Sequence, residues 1–311
     1  MADFAVLLLL NVVVSITKPS GDANKVLLDL AKYPNARCLD GSPGAFYLSQ
    51  PQTPTPHRSG WYLFQQGGGF CTSLQDCEKR SKTDLGSSLA THWPATLDLD
   101  KYDPFMGFDR NVTRNPLLGN FASIFIVYCD GAYFSGSNST VTTMPSGRDL
   151  HFRGREIFEA TVSTLVADYG LGGGGTAEQS EVILGGCSAG GIATFAHADW
   201  AGGVLETAGA LPHGNSRYSA FPISGYYLDV DFFTAQKRFP YEQSNCTATL
   251  SQECVRDQNA LSPPTPWKCI VASVNAKYVR TPTYLFQSKY DADQLGTSFN
   301  PPCTNAKCAD P

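Results

Sequence analysis

The stretch Gly186-Cys187-Ser188-Ala189-Gly190-Gly191 has the form G-x-S-x-G. A serine hydroxyl becomes a useful nucleophile when a sharp strand-to-helix turn lifts it clear of a sheet, beside a base and beside amides that can receive negative charge. The small flanking residues keep the preceding strand and following helix from colliding. Glu181 to Gly185 (Glu-Val-Ile-Leu-Gly) reads as a buried strand, and Gly191 to Ala201 as an Ala-rich helix. This context makes Ser188 the candidate nucleophile; the plainer alternative is a Gly/Ser turn between strand and helix. A second feature, Gly67-Gly68-Gly69, directly follows the aromatic run Trp61 to Gln65. Consecutive glycines expose backbone N–H groups, so Gly68 or Gly69, together with Ala189, are candidate oxyanion donors. Asp291 and Asp293 follow the run Thr281 to Gln287, where the order Ser…Asp…His places an acid that orients an imidazole. A histidine should come after that acid. All five histidines (His57, His92, His151, His197 and His213) precede it. His197 lies about two and a half turns along the helix behind Ser188, pointing to a helix-surface or core role.

These residues need a sheet to hold them. Ala122 to Cys129 is β-branched and aromatic with little polar alternation, as expected of a strand covered on both faces. Arg153 to Tyr169 carries Ile157, Phe158, Val162, Leu165 and Val166 at helical spacing. Ala45 to Leu48 reads as a short strand, and Thr281 to Gln287 as a later one with its proline near the start. Strands alternating with helices argue for an α/β sheet with crossover connections. Asn245 to Lys268, rich in Pro, Gln, Ser and Cys, reads as an insertion or cap.

The chain has 311 residues, 42% hydrophobic and only 16% charged, with net charge −5. No stretch concentrates Lys and Arg, which argues against a nucleic-acid partner. Ten cysteines spread through loops point to an oxidising compartment. Short spacings nominate Cys71 with Cys77, Cys246 with Cys254, and Cys303 with Cys308. No Cys/His cluster has metal spacing, so no metal is expected. Asn111, Asn138 and Asn245 open Asn-x-Ser/Thr sequons, candidates for glycosylation. The apolar run Phe4 to Ile16 has signal-peptide length, although Asp3 stands where a positive charge is usual. No other run is long and apolar enough for a membrane span. The expected location is secreted: extracellular space or cell wall.

Taken in order, the motifs resemble the pectin acetylesterase family, which includes the Notum-type serine carboxylesterases. They are Cys38-Leu39-Asp40-Gly41-Ser42-Pro43, Gln66-Gly67-Gly68-Gly69-Phe70-Cys71, Leu85-Gly86-Ser87-Ser88, Tyr128-Cys129-Asp130-Gly131 leading to Phe134-Ser135-Gly136, Phe152-Arg153-Gly154 and the Ser188 motif. The resemblance runs from about Cys38 to Leu295. It implies an α/β-hydrolase-like fold, with a mainly parallel central sheet flanked by helices and loop or cap insertions. It implies Ser188 as nucleophile, Asp291 as acid, oxyanion donors at Gly68, Gly69 and Ala189, no cofactor, and an acetylated polysaccharide such as pectin as substrate. In the family the histidine lies well beyond the acid. The expectation is therefore a signal peptide over 1–20 and one domain over 21–311 that is incomplete at its C-terminus. Phe70 stands where relatives usually have tryptophan. Two alternatives are a Notum-like esterase that removes a lipid acyl group from a secreted protein, and an inactive carbohydrate-binding homologue. The absent histidine favours the latter.

Overall fold

A computed structural model describes residues 22–51, 60–102, 106–173, 180–211 and 217–297. The expected leader, His57, His213, Cys303 and Cys308 lie outside the described residues. The strands are β1 (Asp22–Leu27), β2 (Ala45–Ser49), β3 (Gly60–Gln65), β4 (Thr96–Asp98), β5 (Ala122–Ile126), β6 (Thr142–Thr143), β7 (Asp149–Leu150), β8 (Glu181–Cys187) and β9 (Tyr218–Ile223). The helices are α1 (Leu74–Arg80), α2 (Leu99–Tyr102), α3 (Gly154–Tyr169), α4 (Ala189–Thr207), α5 (Asp231–Gln236), α6 (Arg238–Ser244), α7 (Gln252–Asn259), α8 (Ala272–Asn275) and α9 (Ala292–Thr297).

The main sheet has the order β4-β1-β2-β5-β3-β8-β9. β5, β3, β8 and β9 run parallel, while β2, β1 and β4 add antiparallel strands at one edge. Alternation along β3 explains its position at the centre. Trp61 and Leu63 join Ile124, Leu184, Ile157, Phe158 and Ile192 on the face covered by α3 and α4. Tyr62 and Phe64 join Tyr47, Phe108 and Phe125 on the other face. With both faces buried, the strand carries no polar alternation. α3 ends at Gly170, whose φ of 81° and N–H, donating to the Leu165 carbonyl, close the helix.

The segment 281–287 lies parallel to β9, but only as bridges, Ala220↔Thr283 and Ile223↔Phe286. Pro222 in β9 and Pro282 opposite have no N–H to donate, so a continuous ladder does not form. The expected cap is helical: α6, a 3-10 turn over Cys246–Thr249, α7, and a second turn over Pro266–Ile270.

The structure bonds Cys38 to Cys129, Cys71 to Cys77 and Cys254 to Cys269. The expected Cys246–Cys254 pair does not form. α7 turns Cys254 toward the Pro266–Ile270 turn, where Cys269 lies 5.9 Å away between Cα atoms. The buried Cys246 thiol instead accepts a hydrogen bond from Ser135 Oγ and donates one to the Pro240 carbonyl. Burial pushes this thiol up to about 12. No helix among the described residues is long and apolar enough to cross a membrane.

Candidate active site

β8 delivers Ser188 at its C-terminal end, and α4 starts at the next residue. Ser188 has φ 55° and ψ −120°, a left-handed conformation for a residue with a Cβ. Such strain persists where surrounding structure overdetermines it, and here the restraints are visible. The Ser188 amide donates to Ile223 O at 3.0 Å, and its carbonyl accepts from Ile192 N at 2.8 Å. A Cβ on Gly190 would lie 2.0 Å from Gln65 O, and one on Gly186 would lie 2.4 Å from Gly190 O. The elbow closes only because both positions lack side chains.

The glycine turn packs directly on this elbow: a Cβ on Gly67 would sit 2.6 Å from Cys187 O and 3.2 Å from Ser188 Cβ. Gly68 (φ 136°) and Gly69 (φ 70°) follow in exposed positions. Their location, just past the segment packed on Ser188, suits an oxyanion role. The Ala189 amide belongs to the first turn of α4, where N–H groups have no intrahelical acceptor. Gln66 holds the turn from below by accepting from Tyr128 N at 2.8 Å. On the far side, the Cys71–Cys77 bridge ties the turn to α1, and Cys71 N donates to Gly131 O.

The acid loop is stitched to the chain that leaves β9. Gln287 Oε1 accepts from Tyr226 N, Gln294 Oε1 accepts from Leu228 N, and Gln294 Nε2 donates to Tyr226 O. Asp291 Oδ2 accepts from Gln287 Nε2 at 2.6 Å; its Oδ1 accepts from Asp293 N and Gln294 N at the start of α9. Asp293 is engaged differently, accepting from Tyr227 Oη at 2.7 Å. Tyr227 is 3% exposed, and burial, followed by its bond to Asp293, pushes the phenol far above its usual range. Buried Lys237 lies with its Nζ 3.4 Å from the centre of the Phe70 ring and is attracted by Asp293. Burial holds Lys237 well below the usual lysine range. Sequence reasoning missed Tyr227 and Lys237; neither belongs to a spacing pattern, and only the fold brings them here.

The described histidines are held elsewhere. His197 is buried on α4, with Nε2 3.3 Å from Thr249 Oγ1 and its ring edge-on to Trp200. Burial lowers it to about 3, so it is neutral at ordinary pH. His151 lies near Gly41, lowered by burial and by Arg37 and Arg153. His92 packs on Trp93 and Tyr102, 3.9 Å from Asp84. Among the described residues no cluster of His, Cys, Asp and Glu could hold a metal ion.

A strained serine at the C-terminal end of an interior parallel strand, packed against a glycine turn, is the arrangement of an acyl-transfer hydrolase. Residues 17–309 match the family model described as Pectinacetylesterase. The chain belongs to the pectinacetylesterase family. It is 28% identical over 299 residues to pectin acetylesterase 5 of Arabidopsis thaliana, covering 94% of this chain and 64% of that protein. It is also 28% identical over 295 residues to the palmitoleoyl-protein carboxylesterase NOTUM of Schmidtea mediterranea, covering 86% of this chain and 49% of that one. The chain thus spans less than two thirds of the length of these curated relatives. Its fold is similar to that of the Wnt deacylase Notum from Drosophila, with a TM-score of 0.72 at 22% identity, covering 91% of this chain and 76% of that one. The α/β-hydrolase fold of this family member is thereby established.

Proposed function

We propose that this protein is a secreted serine carboxylesterase that removes O-acetyl groups from a cell-wall or extracellular polysaccharide such as pectin. The observation that carries the reading is the strained Ser188, fixed between β8 and α4 with Gly67 packed against it. Ser188 Oγ attacks the ester carbonyl. The amides of Ala189 and of Gly68 or Gly69 receive the developing oxyanion. The alcohol leaves, and water then hydrolyses the acyl-serine. Asp291 is the acid that would orient the imidazole base. The pectin acetylesterase relatives support the polysaccharide substrate. Secretion is supported by three disulfides and by exposed Asn111 and Asn245 in their sequons. Asn138 commits its amide to the Gln243 carbonyl, so it is a poorer acceptor.

Acetate release from acetylated pectin by the full-length gene product tests the reading. Ser188→Ala should lower turnover by about a millionfold. Acetate release that survives this substitution would overturn it. A Notum-like preference would instead appear as faster turnover of long-chain than of acetyl esters.

A further inference from the structure

We propose that the flank of α4 carries a second carbohydrate subsite, built around Trp200, that holds an uncharged stretch of the polysaccharide away from the nucleophile. This inference rests on the polysaccharide-esterase reading and adds a substrate contact to it.

Two clefts adjoin at Trp200. One, of about 450 Å³, lies between α4, the start of α7 and the turn after α8; Trp200 and Tyr278 line it with Asp199, Glu253, Asn275 and Arg280. The other, of about 630 Å³, runs between α3 and α4 past Ser163, Gly203 and Thr207, and Trp200 lines it too. The walls of the first cleft are tied together. Asp199 accepts from Arg280 N at 3.0 Å and from Thr281 N at 2.8 Å, which fastens residues 278–281 to α4. Tyr278 Oη donates to Asp257 Oδ2, and Arg280 pairs with Glu253, which fastens the same residues to α7. The Cys254–Cys269 bridge anchors α7 in turn. Trp200 is half-buried, with its ring tilted on Phe158 and edge-on to His197. The cleft is therefore formed before any ligand arrives, as binding sites commonly are.

The lining selects the ligand. Aromatic rings offer apolar surface on which the C–H face of a pyranose ring packs, while polar groups beside them exchange hydrogen bonds with its hydroxyls. Asn275 is 1% exposed, and neither its Oδ1 nor its Nδ2 has a partner. A buried amide is ordinarily hydrogen-bonded. A sugar hydroxyl, which both donates and accepts, suits it. The charges disfavour a polyanion. Asp199 and Glu253 outnumber Arg280 in the first cleft, and in the second Arg155 is paired with Glu159 at 2.8 Å. With no surplus cation, the subsite favours methyl-esterified pectin over polygalacturonate. Trp200 lies twelve residues beyond Ser188 along α4, about 18 Å at 1.5 Å per residue. One sugar residue cannot span that distance, whereas one polymer chain can.

The test is electrophoresis of full-length Ser188→Ala protein, which binds polymer without turning it over, through gels holding methyl-esterified pectin or polygalacturonate. Melting temperature is measured alongside. Methyl-esterified pectin should retard the protein more than polygalacturonate does. Adding Trp200→Ala or Tyr278→Ala should weaken retardation by about tenfold, as loss of an aromatic anchor does, while Trp200→Phe should keep most of it. With Ser188 restored, Trp200→Ala should lower the ratio of turnover on acetylated pectin to turnover on 4-nitrophenyl acetate. A general loss of structure would lower both rates alike. Should Trp200→Ala fail to fold, Tyr278→Ala decides, because its ring stands at the rim. Retardation that is absent, is stronger with polygalacturonate, or survives Tyr278→Ala or a folded Trp200→Ala overturns the subsite and leaves the esterase reading standing. Retardation that needs both rings, in a protein whose Ser188 form releases no acetate, keeps the subsite and overturns the esterase reading.

Discussion

Gly190→Ala is the most direct perturbation of the elbow. The new Cβ would lie 2.0 Å from Gln65 O and 2.8 Å from Gln66 O, both backbone atoms at the end of β3. Backbone cannot swing aside as a side chain can. Ordinary contact begins near 3.4 Å, so β3 and the start of α4 must separate by about 1.4 Å. Overpacking of this kind costs about 1–3 kcal/mol. The displaced groups include the glycine turn that follows β3 and the serine that precedes α4, and a misplacement of about 1 Å costs on the order of a hundredfold in rate. Gly203 lies on the same helix, is exposed, and has nothing within 4 Å of its Cβ position. There the same substitution should stabilise by about 1 kcal/mol through helix propensity alone. Denaturant midpoints and fluorophosphonate labelling of the two variants form the assay. The expected result is opposite signs of stability change and a labelling defect confined to Gly190→Ala. Equal behaviour of the two variants would refute the steric account of the elbow.

Two other outcomes follow from the cap and from α4. Cys254→Ser should cost about 3 kcal/mol in denaturant unfolding, from release of a loop of 15 residues, whereas Cys246→Ser should leave every mapped disulfide intact; a Cys246–Cys254 peptide in non-reduced digests would contradict this. His197 is lowered from 6.5 to about 3 by burial. Its neutral form favours the fold, so its contribution is fully present above pH 6.5 and is lost as pH falls toward 3, in total about 5 kcal/mol. Asp130, pushed up to about 6 by burial, has the opposite sign, favouring the fold below its ordinary 3.8 and losing that contribution as pH rises through 6. The His197 share is therefore read from the difference between wild type and His197→Gln across pH 3–7, and a flat difference would contradict the assignment.

The elbow was legible because its small residues crowd round one position: Gly186 and Gly190 both lie within two residues of the serine, Gly186 packing on Gly190 O and Gly190 on the backbone of Gln65 and Gln66. β3, β5 and β8 were legible for a related reason: burial on both faces leaves a run with almost no polar residues. β1 was not, since a strand reading Asp-Ala-Asn-Lys-Val-Leu has the composition of a loop. β9 was hidden by Pro222, which breaks the strand signal and interrupts the ladder with residues 281–287. The cap misled for a different reason. Sequence proximity favoured Cys246 with Cys254, but α7 turns Cys254 to the opposite neighbour, and local spacing cannot report which side of a short helix a thiol occupies.

The same distinction separates the nucleophile from its surroundings. Asp291 and Asp293 are two residues apart and could not be told apart by order along the chain. The structure separates them by direction: the side chain of one turns back to Gln287 and the first amides of α9, the other reaches Tyr227. Tyr227 arrives from the segment after β9, and Lys237 from the junction of α5 and α6, both far from Ser188 in sequence. The motif therefore specifies where the nucleophile stands, while the acid loop is held by Tyr226, Leu228 and Tyr227, residues without a motif.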